Sequence, residues 1–99
     1  MDQHDITLVY DFAVFLQERV RDFDRAEEQY TRALAMDPSD PSVLNNYAIF
    51  LSECRNNNTA AEAIFLRSVE LVPNSSTALC NYASFLENAR GKYDEAEKL

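Results

Sequence analysis

The sequence predicts an all-α fold, antiparallel helix pairs laid side by side as an α-solenoid, and three observations point to it. Phe12, Tyr47 and Tyr82 lie 35 residues apart, and Val9/Leu44/Leu79, Ala13/Ala48/Ala83, Phe15/Phe50/Phe85 and Leu16/Leu51/Leu86 repeat at the same step. A period of this size marks one supersecondary unit copied end to end, each copy burying its apolar face on the next. Within each copy apolar residues recur at i, i+3, i+4 and i+7, one face of a helix. Only one Gly and three Pro occur in 99 residues, too few turn residues for a fold of strands and hairpins.

The elements follow in order. The stripe Val9, Phe12, Ala13, Leu16 predicts a first helix over 5–20, and Asp24 with Glu27 reads as a capping box opening a second over 24–36. The second helix buries Ala26, Tyr30, Ala33 and Leu34, small residues alternating with large ones so that helices approach closely while rings fill the gap. Pro38 ends it, and Asp40-Pro41 restarts the chain as N-cap and first helical residue. The next copy repeats this over 40–54 (Leu44, Tyr47, Ala48, Leu51) and 59–71 (cap Thr59 with Glu62; core Ala61, Phe65, Ser68, Val69), stopped by Pro73. A third predicts 75–89 (Leu79, Tyr82, Ala83, Leu86) and a helix from 94 onward, with Asp94 and Glu97 as its box. One domain results, with repeats at about 6–40, 41–75 and 76–99, the last truncated in its second helix.

Composition narrows the function. Hydrophobic residues make up 46%, enough for a continuous core, and net charge is −8 from 17 acidic and 9 basic residues. A nucleic-acid binder carries a basic stripe that displaces counterions; none is present, so neither nucleic acid nor anionic membrane is an expected partner. No apolar run approaches the ~18 residues that span a bilayer, and Met1–Asp5 is polar, so the chain reads as intracellular and cytoplasmic, without signal peptide or membrane helix. Cys54 and Cys80 fall at opposite ends of neighbouring helices, too far apart for a disulfide, and read as structural thiols. Asn57-Asn58-Thr59 and Asn74-Ser75-Ser76 match the glycosylation pattern but read as turn residues.

The order Leu44, Tyr47, Ala48, Leu51, Ala61, Phe65, Ser68, Pro73 resembles the tetratricopeptide repeat, and Gly91-Lys92-Tyr93-Asp94-Glu95-Ala96 is similar to that family's turn between paired helices. The resemblance implies a right-handed superhelix acting as a protein-interaction or scaffold module. Two departures stand out: the step is 35 rather than 34, with the extra residue placed in the turn within each pair, and Asn58 replaces the aromatic of Phe23 and Tyr93. The Asn56-Asn57-Asn58 turn is therefore expected to be the loosest joint. Pentatricopeptide repeats share the step and bind RNA, but the five-residue interval from Ala33 to Pro38 and from Ser68 to Pro73, with no Gly between, argues against them. Half-a-tetratricopeptide repeats of RNA-processing scaffolds stay as an alternative, through Phe85-Leu86-Glu87.

In a stack of helix pairs the first helices line a concave face. Opposite the buried stripes stand Thr7, Asp11, Val14 and Glu18, then Ser42, Asn46, Ile49 and Glu53, then Thr77, Asn81, Ser84 and Asn88, the candidate peptide-binding residues. Asn46 and Asn81 are expected to pair with the backbone of an extended peptide. No position in the stripe is basic, so the carboxylate clamp of some family members is not expected, and a neutral or basic segment is the fitting partner. The alternative function is structural self-assembly. Tyr82, Phe85, Leu86 and Leu99 are expected to lack cover because the final helix is short, so the chain is either a piece of a longer array or has that edge closed by self-association, as a homo-oligomer, or by a second protein.

No enzyme is expected. His4 stands alone, no Ser, Cys or Lys has a base beside it, and no phosphate-cradling Gly loop occurs. No metal-ligand spacing and no cofactor motif appears.

Overall fold

The computed structural model describes the backbone of residues 3–98 and the side chains of residues 5–89. Its elements are α1 (Gln3–Phe15), a π-helical turn (Leu16–Val20), α2 (Phe23–Met36), α3 (Pro41–Glu53), α4 (Asn58–Leu71) and α5 (Ser76–Lys98). Helices α1 with α2, and α3 with α4, form antiparallel pairs, and the described residues contain no strand. The result is an all-α helical repeat solenoid.

Each break has a local cause. Asp40 caps α3, its side chain accepting from the N–H groups of Ser42 and Val43, and Pro41 occupies the first helical position. Inside each pair the chain reverses through one left-handed residue, Arg21 at φ 60° and Asn56 at φ 54°, one period apart. The following N–H reaches six residues back, from Asp22 to the carbonyl of Leu16 and from Asn57 to that of Leu51. In the first pair this widening takes the form of the π-helical turn, so the turn within the pair is wide in both copies.

That reversal moves the caps. Asp22 and Asn57, not Asp24 and Thr59, accept from the N–H groups of Arg25 and Ala60, because the helix begins directly after the left-handed residue. Asp24 and Glu27 are freed for a different task. Arg55, just past α3, donates to Asp24 at 2.7 Å and to Glu27 at 2.9 Å, tying the second pair to the first. Glu27 also accepts from the Tyr47 hydroxyl at 3.1 Å.

The core lies between successive pairs. Ala26, Tyr30 and Ala33 of α2 and Ala61, Phe65 and Ser68 of α4 are buried as their spacing predicts. Tyr30 packs on Tyr47 and Phe50, and Phe23 meets Phe50 edge-on. Phe65 packs in the same way on Tyr82 and Phe85. Buried polar groups are paired: Ser68 donates to Asn45 Oδ1 at 3.1 Å, and the Tyr30 hydroxyl donates to Gln17 at 2.6 Å.

Three further expectations are corrected. Phe12 is exposed, since its register faces a preceding second helix rather than its own pair. Helix α5 runs unbroken through Gly91 and Asp94, so the third turn and the Asp94 cap are absent. Finally, Tyr82 is half-buried and Phe85 buried, both against Phe65; the residues left uncovered are Leu79, Ala83 and Leu86, counterparts of the buried Leu44, Ala48 and Leu51. Leu99 lies outside the described residues.

Candidate functional site

The first helices α1, α3 and α5 share two clefts. One, of about 210 Å³, lies between α3 and α5 and is lined by Ile49, Ser52, Glu53, Phe65, Asn81, Ser84, Phe85 and Asn88. Its floor is apolar, from Ile49, Phe65 and Phe85. Its rim is polar, with amides from Asn81 and Asn88 and one carboxylate from Glu53. The other, of about 240 Å³, lies between α1 and α3, with Ile6 and Val43 as its apolar part and Thr7, Tyr10, Asp11, Asp40 and Ser42 around it.

Eight of the expected residues are thereby gathered: Thr7, Asp11 and Ser42 in one cleft, and Ile49, Glu53, Asn81, Ser84 and Asn88 in the other. Asn46 sits elsewhere in function. Its Nδ2 donates to the Tyr10 hydroxyl at 2.6 Å and to the Ser42 carbonyl at 2.9 Å, so both amide hydrogens serve the protein and only its oxygen is left as an acceptor. Val14 is half-buried against the first core cluster, and Glu18 and Thr77 are exposed outside both clefts.

Cleft residues outside the predicted stripe are Ile6, Tyr10, Asp40, Val43, Ser52, Phe65 and Phe85. Tyr10 stands one position beside the predicted stripe, and its long side chain reaches Asn46 of α3; nothing in its local sequence beyond the neighbouring Asp11 signals that role. Asp40 and Phe65 had been assigned to a cap and to the core, and each does both tasks.

The lining of each cleft carries carboxylate and no basic residue, Glu53 in one and Asp11 with Asp40 in the other. Burial raises the Tyr10 hydroxyl above its ordinary pKa, and Asp11, Asp40 and Glu18 push it the same way. Burial likewise raises the Cys54 thiol, with Glu53 adding to it. A raised thiol pKa keeps sulfur protonated and inert. Cys54 and Cys80 are both free thiols. Among the described residues no group of three or more His, Cys, Asp or Glu is placed to hold a metal ion, and no helix is long and apolar enough to cross a membrane.

Two stretches, residues 29–62 and 64–98, match the family model described as tetratricopeptide repeat, and together they take in most of the chain. The chain belongs to the tetratricopeptide repeat family. The matches begin at 29 and 64, the same 35-residue step seen in the sequence. No curated protein matches the chain. Tetratricopeptide repeats generally mediate protein–protein interaction or scaffolding, and the family is typically non-catalytic.

Proposed function

We propose that this tetratricopeptide repeat chain docks an extended peptide segment along its first helices, with a basic side chain of the ligand anchored in the α3–α5 cleft. The observation that carries this reading is the make-up of that cleft: an apolar floor of Ile49, Phe65 and Phe85 below the Glu53 carboxylate and the amides of Asn81 and Asn88. A Lys or Arg side chain combines an aliphatic stem with a cationic head, and the two halves of the cleft suit the two halves of the side chain. Asp11 and Asp40 in the α1–α3 cleft extend the same preference along the ligand. An acidic segment would meet repulsion at both places.

Glu53→Lys is expected to weaken a Lys-containing peptide about tenfold or more and to remove most of the salt dependence of its binding, while Asp11→Ala has a smaller effect. Titration calorimetry at two ionic strengths measures both; unchanged affinity in the two variants sinks the reading.

The uncovered stripe Leu79, Ala83 and Leu86 favours a second reading, association of copies through the third repeat. Tyr82 and Phe85 take little part in it, since Phe65 covers them. Light scattering should then show mass rising with concentration, and Leu86→Glu should abolish the rise; a constant monomer mass rejects self-association.

A further inference from the structure

Leu8, Phe12 and Phe15 lie open on one face of α1, 56%, 40% and 51% exposed. One period on, the same register holds Val43, Tyr47 and Phe50, and a second period on it holds Ala78, Tyr82 and Phe85. In both later copies the second helix of the copy before closes that face. Val43 and Phe50 fall to 1% and 0% exposure, and Ala78 and Phe85 to 1% and 5%.

One central ring of the second helix packs on two rings of that face each time, and Phe23 adds an edge-on contact to Phe50 in the first interface. Tyr30 of α2 lies 5.6 Å from Tyr47 and 5.2 Å from Phe50, ring centre to ring centre, and Phe65 of α4 lies 6.2 Å from Tyr82 and 5.1 Å from Phe85. Small residues flank the ring four positions before and three after, Ala26 and Ala33 in one helix, Ala61 and Ser68 in the other, all buried. They let the backbones approach while the ring fills the space between two side chains of the facing helix. The α1 face therefore continues an interface that the protein builds twice within itself.

We propose that Leu8, Phe12 and Phe15 dock an amphipathic helix from a partner protein, one with a central aromatic residue, small residues at −4 and +3, and acidic flanks. The aromatic would seat between Phe12 and Phe15 as Tyr30 seats between Tyr47 and Phe50. The acidic flanks follow from the cations on this side. Arg25 stands 5.9 Å from the centre of the Phe12 ring, and Arg32 lines the groove beside Leu8, Val9 and Met36, with Asp5 as the one carboxylate in that lining, so the two cations outnumber it. The internal interface uses the same pairing of signs, Arg55 on one pair holding Asp24 and Glu27 on the other. An aromatic anchor enclosed by apolar contacts is the kind of residue that dominates binding at such faces.

The probe is a synthetic peptide of residues 22–38 of this chain, which carries Tyr30 between Ala26 and Ala33 and has acidic residues at both ends. Titrated onto the 99-residue protein, it is expected to bind one to one with a gain of helical circular dichroism. Phe15→Glu and Leu8→Glu should each weaken it about tenfold or more, as should Tyr30→Ala in the peptide. Glu53→Lys and Leu86→Glu should leave it unchanged, which separates this face from the first-helix clefts and from the third-repeat stripe. Both altered α1 residues are half exposed, and thermal melts of the two variants verify their fold. No binding, binding indifferent to Phe15→Glu and Leu8→Glu, or binding lost on Leu86→Glu instead would each overturn the proposal.

Discussion

Phe50→Ala is expected to cost about 3–5 kcal/mol and to uncouple the first two repeats. The Phe50 side chain is fully buried, and its ring meets Phe23 at 6.1 Å, Tyr30 at 5.2 Å and Tyr47 at 6.3 Å. Those rings come from α2 and α3, one helix of each pair, so truncation leaves a hole whose walls cannot close without sliding one pair against the other. A domain of this size holds only about 5–15 kcal/mol in total, and the loss takes a large part of it. In a linear array stability is close to a sum of repeat terms and interface terms, so weakening one interface lowers cooperativity as well. Urea unfolding followed by circular dichroism should show a lower midpoint and a broader or divided transition. The control is Phe15→Ala, one period earlier, where the side chain is half exposed and the cost should stay below about 1 kcal/mol. Equal losses in the two variants would show that the register does not set the burial.

The contrast between Phe15 and Phe50 also shows what the sequence could and could not disclose. Period, helix type and the buried small residues Ala13, Ala26, Ala33, Ala48 and Ala61 were all legible, because each depends on spacing along a single helix. The Pro-terminated second helices were legible for the same reason, Pro38 and Pro73 acting locally. What escaped were properties set by a neighbour in space. A repeat pattern gives Phe12, Tyr47 and Tyr82 one role, yet only the latter two have a second helix in front of them to cover it. Asp24 and Glu27 satisfy the pattern of a capping box, and the pattern cannot tell that the chain turns left-handed at Arg21 and hands the cap to Asp22. Gly91 stands one period after Asn56, yet α5 runs on through it, so the repeat pattern alone does not place the third turn. For the candidate site, eight residues of the stripe on the first helices line the two clefts, since one helix face stays one face after packing. Asn46 was misjudged because its donor capacity is spent on Tyr10, a partner from another repeat.

Alkaline titration should unfold the protein between about pH 10 and pH 12, because the phenols between repeats need their protons in the folded state. Burial, reinforced by the Glu27 carboxylate that accepts its hydrogen bond, pushes the Tyr47 hydroxyl up to about 12, although Arg55 offsets part of that. Burial raises Tyr30 further, and Tyr10 rises in the same direction. The sign follows from which state releases protons first. An unfolded tyrosine ionises near pH 10, so below that both states are neutral and the folded state keeps its full advantage. As pH climbs toward the folded value, the unfolded chain gains by losing its proton while Tyr30 and Tyr47 stay neutral on each other's faces, 5.6 Å apart. Stability therefore falls across this window. Helical circular dichroism and phenolate absorbance, followed together, should change in step rather than separately. Tyr47→Phe is expected to move the transition to higher pH, since the variant removes an ionising group from the interface but keeps the ring that packs on Tyr30 and Phe50. If phenolate absorbance instead rose near pH 10 with helicity intact, these tyrosines would be open to water and the inter-repeat seam would be looser than its ring contacts imply.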